Sequence, residues 1–143
     1  MSNDWTMTVT EQASTEPRLV SILSQSAYLI VSVHTALDDS QLTRLQDDLL
    51  EQVESGRKRG IVIDVGALDV VDSFATHILS QIALAARLKG AETVVVGIAP
   101  EVAMAMVHLS LRMEHVRTAL DLEEGIAMLH ALTEPSAQHT GRP

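Results

Sequence analysis

The residue in this chain best placed to do chemistry is a single serine, Ser73. It lies in Asp69-Val70-Val71-Asp72-Ser73-Phe74, after the continuous apolar run Ile61-Val62-Ile63-Asp64-Val65 and before a stretch in which Phe74, Ala75, Ile78, Leu79, Ile82, Ala83 and Ala86 recur at helical spacing. The first run predicts a buried strand opened by Gly60, and the second a helix that begins at or just after Ser73. A hydroxyl at such a junction lies beside the free N–H groups of a first helical turn, which favour an anion. One reading makes Ser73 an N-cap whose hydroxyl satisfies one of those N–H groups. A second makes it a phosphorylation site, where close to two negative charges would be added beside Asp69 and Asp72 and change the surface a partner meets. A third pairs Ser73 with His77, four residues on and on the same helix face, as nucleophile and base. That pair lacks the Gly-x-Ser-x-Gly elbow, because Asp72 and Phe74 flank the serine, and no orienting acid is legible.

Other chemistry finds little footing. His34, His108, His115, His130 and His139 are scattered without metal-ligand spacing, so no metal site is expected. The chain has no cysteine, which excludes disulfides and thiolate chemistry. No Gly-x-Gly-x-x-Gly or Walker pattern occurs, so no cofactor is expected. Met104, Met106 and Met113 read as gap-fillers in a core poor in rings, and Arg57-Lys58-Arg59 as a solvated turn after a helix C-terminus.

The elements that must position Ser73 follow from the pattern. With 143 residues, 46% of them hydrophobic, the chain has room for one domain with a packed core. Aromatics at 2% and a net charge of −9 argue against a nucleic-acid partner, which needs stacking rings and cations. Residues 18–24 and 28–34 predict two strands joined by the turn Ser24-Gln25-Ser26. The second alternates Leu29, Val31 and Val33 against Tyr28, Ile30 and Ser32, with an outer face expected to be only partly apolar. Asp38, Asp39 and Ser40 offer N-caps for a helix carrying Leu42, Leu45, Leu49 and Val53, with Gly56 as its C-cap. The helix from Ser73 closes with Arg87, Lys89 and Gly90, and residues 93–97 form a further β-branched strand. Pro100 opens a short helix carrying Val102, Ala103, Met106 and Val107. An extended piece at 115–117 precedes Asp121, three residues before Glu124 at capping-box spacing, and a last helix over 122–132 carries Ile126 and Leu129. Residues 1–17 read as a flexible polar arm without periodicity or signal-peptide character, and 133–143 as a flexible tail. No apolar run is long enough to span a bilayer, so no membrane role is expected, and a cytoplasmic location is. The crossovers require parallel pairing of the later strands, and an α/β layered domain follows.

Several segments carry a family resemblance. The run 28–34, Asp38-Asp39, the strand 60–65, Leu68-Asp69-Val70-Val71-Asp72-Ser73, Leu88-Lys89-Gly90-Ala91, Val95-Val96-Gly97-Ile98-Ala99-Pro100-Glu101-Val102-Ala103 and Thr118-Ala119-Leu120-Asp121-Leu122-Glu123-Glu124-Gly125 resemble the STAS domain of anti-sigma-factor antagonists, in its stressosome scaffold branch. The resemblance covers residues 18–132 and implies the STAS fold, a mixed four- to five-stranded sheet covered by about four helices. It implies a protein without catalysis, which sequesters an RsbT-like serine/threonine kinase together with RsbR-like sensor paralogues in a large oligomeric complex. Phosphorylation of the serine matching Ser73 would then release the kinase. Asp69, Asp72, Phe74 and Thr76 are the expected partner-binding residues around it. A stand-alone antagonist binding an anti-sigma kinase, and a STAS accessory subunit of a transporter, are the alternative readings. Two positions depart from the family pattern. Ala105 stands where sensor paralogues carry a second phosphorylatable threonine, which favours a single-site scaffold. Ser110 replaces a common glycine after that helix, so a less sharply left-handed turn is expected there.

Overall fold

In the computed structural model, which describes residues 19–134, the strands are β1 (Val20–Gln25), β2 (Tyr28–Val33), β3 (Gly60–Asp64), β4 (Glu92–Val96) and β5 (Arg117–Ala119). The helices among them are α1 (Asp39–Gly56), α2 (Ser73–Leu88), α3 (Pro100–His108) and α4 (Leu122–Thr133). The strands form one sheet in the order β1-β2-β3-β4-β5, with β1 antiparallel to β2 and every later neighbour parallel. This is the mixed α/β sheet expected from the crossovers. The expected arm at 1–17 lies outside the described residues, as does the tail beyond Glu134. Thr133, assigned to that tail, closes α4 instead: its hydroxyl donates to the Leu129 carbonyl at 2.7 Å and lies 3.0 Å from the Tyr28 hydroxyl.

Helices α1, α2 and α3 share one face of the sheet. Leu42, Leu45, Leu49 and Val53 of α1, with Ile78, Leu79, Ile82 and Ala86 of α2, close over Leu29, Val31, Val33, Ile61, Ile63 and Val95. Fully burying one such aliphatic side chain contributes about 1.5–3 kcal/mol relative to leaving it exposed, so this layer dominates the fold. The opposite face is more apolar than β2 alone predicts. Tyr28 is buried there with Val62, Val94, Val96 and Leu129, because α4 lies across it. Gly125 permits that contact, since a Cβ at this position would sit 2.6 Å from Val96 Cγ1.

The turns depart from expectation in instructive ways. The hairpin turn is Ser26-Ala27, with Gln25 paired to Tyr28 and Ser26 at φ 56°. Two-residue hairpins favour positive φ because it matches strand twist. At the end of α1 the left-handed residue is Arg57 (φ 52°), while Gly56 stays helical. Arg59 explains the shift: its N–H donates to the Ala27 carbonyl at 2.7 Å, and Lys58 Nζ reaches the Ser26 carbonyl at 2.6 Å, so the entry to β3 is pinned to the hairpin. Ser110 is fully left-handed at φ 58°, against the expectation that losing glycine would relax this turn. Its N–H donates to Val107 at 3.1 Å and that of Leu111 to Met106 at 2.9 Å, offsetting a left-handed cost of about 1–2 kcal/mol. Of the apolar residues of α3, Val102 and Met106, four apart, are the buried pair, while Val107 is exposed.

Candidate functional site

The loop from β3 to α2 is held at both ends. Val65 N–H donates to the Val96 carbonyl at 3.0 Å, the Asp64 carboxylate accepts the Gly66 N–H at 2.8 Å, and Leu68 N–H closes a turn on Val65 at 3.0 Å. Two adjacent valines then part. Val71 is buried in the main core, while Val70 is 64% exposed. The loop is thereby anchored from beneath and presents an apolar side chain outward.

Helix α2 is capped by Asp72. Its Oδ1 accepts the Ala75 N–H at 2.8 Å, and its carbonyl accepts both the Thr76 N–H at 2.9 Å and the Thr76 hydroxyl at 2.8 Å. Ser73 is therefore the first residue of the helix and not its cap. Its side chain is exposed and makes no hydrogen bond among the described residues. The hydroxyl carries no structural duty, which removes the reading of Ser73 as an N-cap.

The other expected partner residues divide. Asp69 and Asp72 are exposed and share with Ser73 the rim of one groove. Phe74 is half-buried and packs against the main core. Thr76 is 3% exposed with its hydroxyl donated to the Asp72 carbonyl, so it sits beneath the surface that Ser73 occupies. His77 is exposed one turn along from Ser73, yet no hydrogen bond joins the two side chains and the nucleophile–base geometry is not formed.

Ser73 separates two grooves. One, of about 410 Å³, is apolar and is lined by Val70, Val71, Val102, Ala105, Leu109 and Leu111. Leu109 is 67% exposed, so with Val70 it offers a contiguous greasy lip beside the acidic rim. The other groove, of about 520 Å³, is more polar and runs along α2 from Ser73 past His77 and Gln81, with Arg112, Glu114 and His115 opposite. The apolar groove was not anticipated from sequence. The signal was present in Val70-Val71, since two successive apolar residues in a loop before a cap cannot both face inward. Arg112 likewise carries no motif, although it is a lone cation in Ser110-Leu111-Arg112-Met113.

Among the described residues no group of three or more His, Cys, Asp or Glu is placed to hold a metal ion, and no helix is long and apolar enough to cross a membrane.

Comparison with known proteins agrees with this geometry. Residues 19–125 match the STAS domain model. A solved serine-to-glutamate variant of RsbS from Moorella thermoacetica is 34% identical, with a TM-score of 0.69, covering 80% of this chain and 97% of that one. A chain from a structure of the stressosome, described as a signal integration and transduction hub, is 32% identical with a TM-score of 0.62, covering 78% and 96%. The RsbT co-antagonist protein RsbRA of Bacillus subtilis is 32% identical over 98 residues, which is 68% of this chain and 36% of that protein. The chain thus spans about a third of the length of the curated relatives it matches.

Proposed function

The chain belongs to the STAS domain family, and from that premise we propose that it is a non-catalytic stressosome scaffold and antagonist that holds an RsbT-like serine/threonine kinase until Ser73 is phosphorylated. The observation that carries this reading is the Ser73 hydroxyl: exposed, without a hydrogen bond, at the first position of a helix whose capping is done by Asp72. A kinase can transfer the γ-phosphoryl group of ATP to such an oxygen, with loss of the hydroxyl proton, without first breaking a structural contact. Asp69, Asp72 and the apolar groove form the seat for the unphosphorylated complex, and RsbR-like paralogues with their own STAS domains complete a large cytoplasmic assembly. Similarity to RsbS over 80% of this chain and to RsbRA over 68% of it supports this choice over a transporter subunit.

The test is direct. Incubation with the partner kinase and ATP should place one phosphate on Ser73, read by mass spectrometry. Gel filtration should show Ser73→Ala retaining the kinase under conditions in which the wild-type protein lets it go. Phosphate found elsewhere, with Ser73 unmodified, would refute the assignment. Mixing with a sensor paralogue should yield a megadalton-scale particle; separate small species would instead indicate a stand-alone antagonist.

A further inference from the structure

Phosphorylation adds negative charge to a rim that is already acidic, so the new dianion must find counter-charge nearby or repel its own surroundings. The start of α2 is partly satisfied in advance, because the Asp72 carboxylate already accepts the Ala75 N–H at 2.8 Å. Asp69 stands on the same rim. On the apolar side of Ser73 the groove offers Val, Ala and Leu side chains and the Asp69 and Asp72 carboxylates, with no cation among them. On the other side it offers one cation, Arg112, with His77 and His115 beside it and Glu114 as the single carboxylate.

We propose that phosphoserine at position 73 turns into the polar groove and is received there by Arg112 and His77; this rests on Ser73 being the phospho-acceptor. Arg112 is exposed and has neither a hydrogen bond nor an ion pair among the described residues. Most other cations are committed: Lys58 to the Ser26 carbonyl, Arg59 to Glu134, Arg87 to Glu92 and Lys89 to Glu54. His77 follows Ser73 by one helical turn on the same face and is likewise unpartnered, so a dianion beside it favours its protonated form.

The wall that carries Arg112 is fixed in place. Ser80 Oγ accepts the Glu114 N–H at 2.9 Å, and Arg87 reaches the His115 carbonyl at 3.5 Å. Leu111 packs against the main core and lines both grooves, which sets Arg112, the next residue, on the polar side of Ser73. The charged groups facing the phosphate are therefore Arg112, His77 and His115 in its favour, and Asp69, Asp72 and Glu114 against it. An arginine fork also gives two parallel hydrogen bonds to phosphate oxygens, which a diffuse positive field does not. Drawing the phosphate into this groove pulls the Ser73 side chain off the shared rim, so the partner's seat changes shape as well as charge.

The experiment uses the full chain with phosphoserine installed at position 73 during translation, so that no kinase is required. Its phosphate is titrated by phosphorus NMR alongside the His77 ring. An ordinary second ionisation lies near about pH 6. Arg112→Gln should raise the phosphate value by about one pH unit, a roughly tenfold change in proton affinity, since an opposite charge within contact range has been removed. Arg57→Gln, which removes an equal charge from the end of α1, should leave it unchanged. The His77 ring should titrate higher in the phosphorylated chain than in the unmodified one. The proposal is overturned if Arg112→Gln moves the phosphate no further than Arg57→Gln does, or if the His77 ring ignores the phosphate. A kinase that fails to label Ser73 would defeat the proposed function yet leave this titration standing. A flat titration with labelling intact would defeat the receiving groove alone.

Discussion

Ser73 and Asp72 are neighbours with opposite duties, and alanine at each position separates them. Asp72→Ala removes the cap bond to the Ala75 N–H, a contact of 2.8 Å, and should cost about 1 kcal/mol within a general range of about 0.5–2. For a domain of this size that corresponds to a fall in Tm of roughly 3–6 °C. Ser73→Ala deletes a hydroxyl that makes no hydrogen bond among the described residues and introduces a better helix former at an exposed first-turn position, so stability should stay within about 0.5 kcal/mol. Asp72→Asn keeps a side-chain oxygen for the cap and removes the charge. It should match the wild type in stability while binding the kinase with a lower association rate, a difference that shrinks as salt rises. Urea unfolding at neutral pH gives the three stabilities, and stopped-flow mixing with the kinase across a salt series gives the rates. If Ser73→Ala costs as much as Asp72→Ala, the serine is structural after all and the reasoning from its idle hydroxyl collapses.

Gly125→Ala should cost about 1–3 kcal/mol in thermal unfolding, because its Cβ would press on Val96 Cγ1 at 2.6 Å and lift α4 from the sheet. The double substitution Val70→Ser and Leu109→Ser should leave Tm nearly unchanged, since both side chains are exposed, while weakening kinase capture in gel filtration at least tenfold. Asp38 heads the capping box of α1; the Gln41 backbone N–H, and then the Ser40 hydroxyl, hold its carboxyl below the ordinary value of 3.8. The native state therefore binds fewer protons here than the unfolded chain, so the contribution is complete above about pH 4 and is lost as pH falls through the lowered value. Acid titration of Asp38→Asn should lack that part of the pH dependence.

The fold was legible wherever one local rule sufficed. Period-2 and period-3.6 spacing located the strands and helices to within a residue or two, and Asp38, Pro100 and Asp121 marked helix starts that the backbone uses. What failed were inferences that depended on distant partners. Gly56 looked like the C-cap of α1, but Arg59 bonding to Ala27 moved the left-handed residue to Arg57. The outer face of β2, with Tyr28, Ile30 and Ser32, read as only partly apolar because nothing in β2 announces that α4, about a hundred residues later, will cover Tyr28. At the site the same division holds. Ser73 and its acidic neighbours were readable from the junction of strand and helix. The capping duty of Asp72, the burial of Thr76 and the pairing of Val70 with Leu109 depend on a helix register and a groove that only packing defines.

The two faces of the sheet are unequal, and that inequality has a dynamic side. Four buried sheet residues hold α4 down through Leu129, against a buried cluster of twenty residues in the layer beneath Ser73. Detaching α4 thus exposes far less apolar surface than global unfolding, which makes it the natural unit of sub-global opening in this domain. Its buried contacts are with Tyr28, Val62, Val94 and Val96, and none lies in the loop that carries Ser73. Excursions of α4 should therefore expose a cleavable helix to limited proteolysis while the loop that carries Ser73, the Asp72 cap and both grooves remain assembled. Opening of α4 and the surface around Ser73 lie on opposite sides of one sheet, and a substitution that loosens α4 should leave the serine and its neighbours undisturbed.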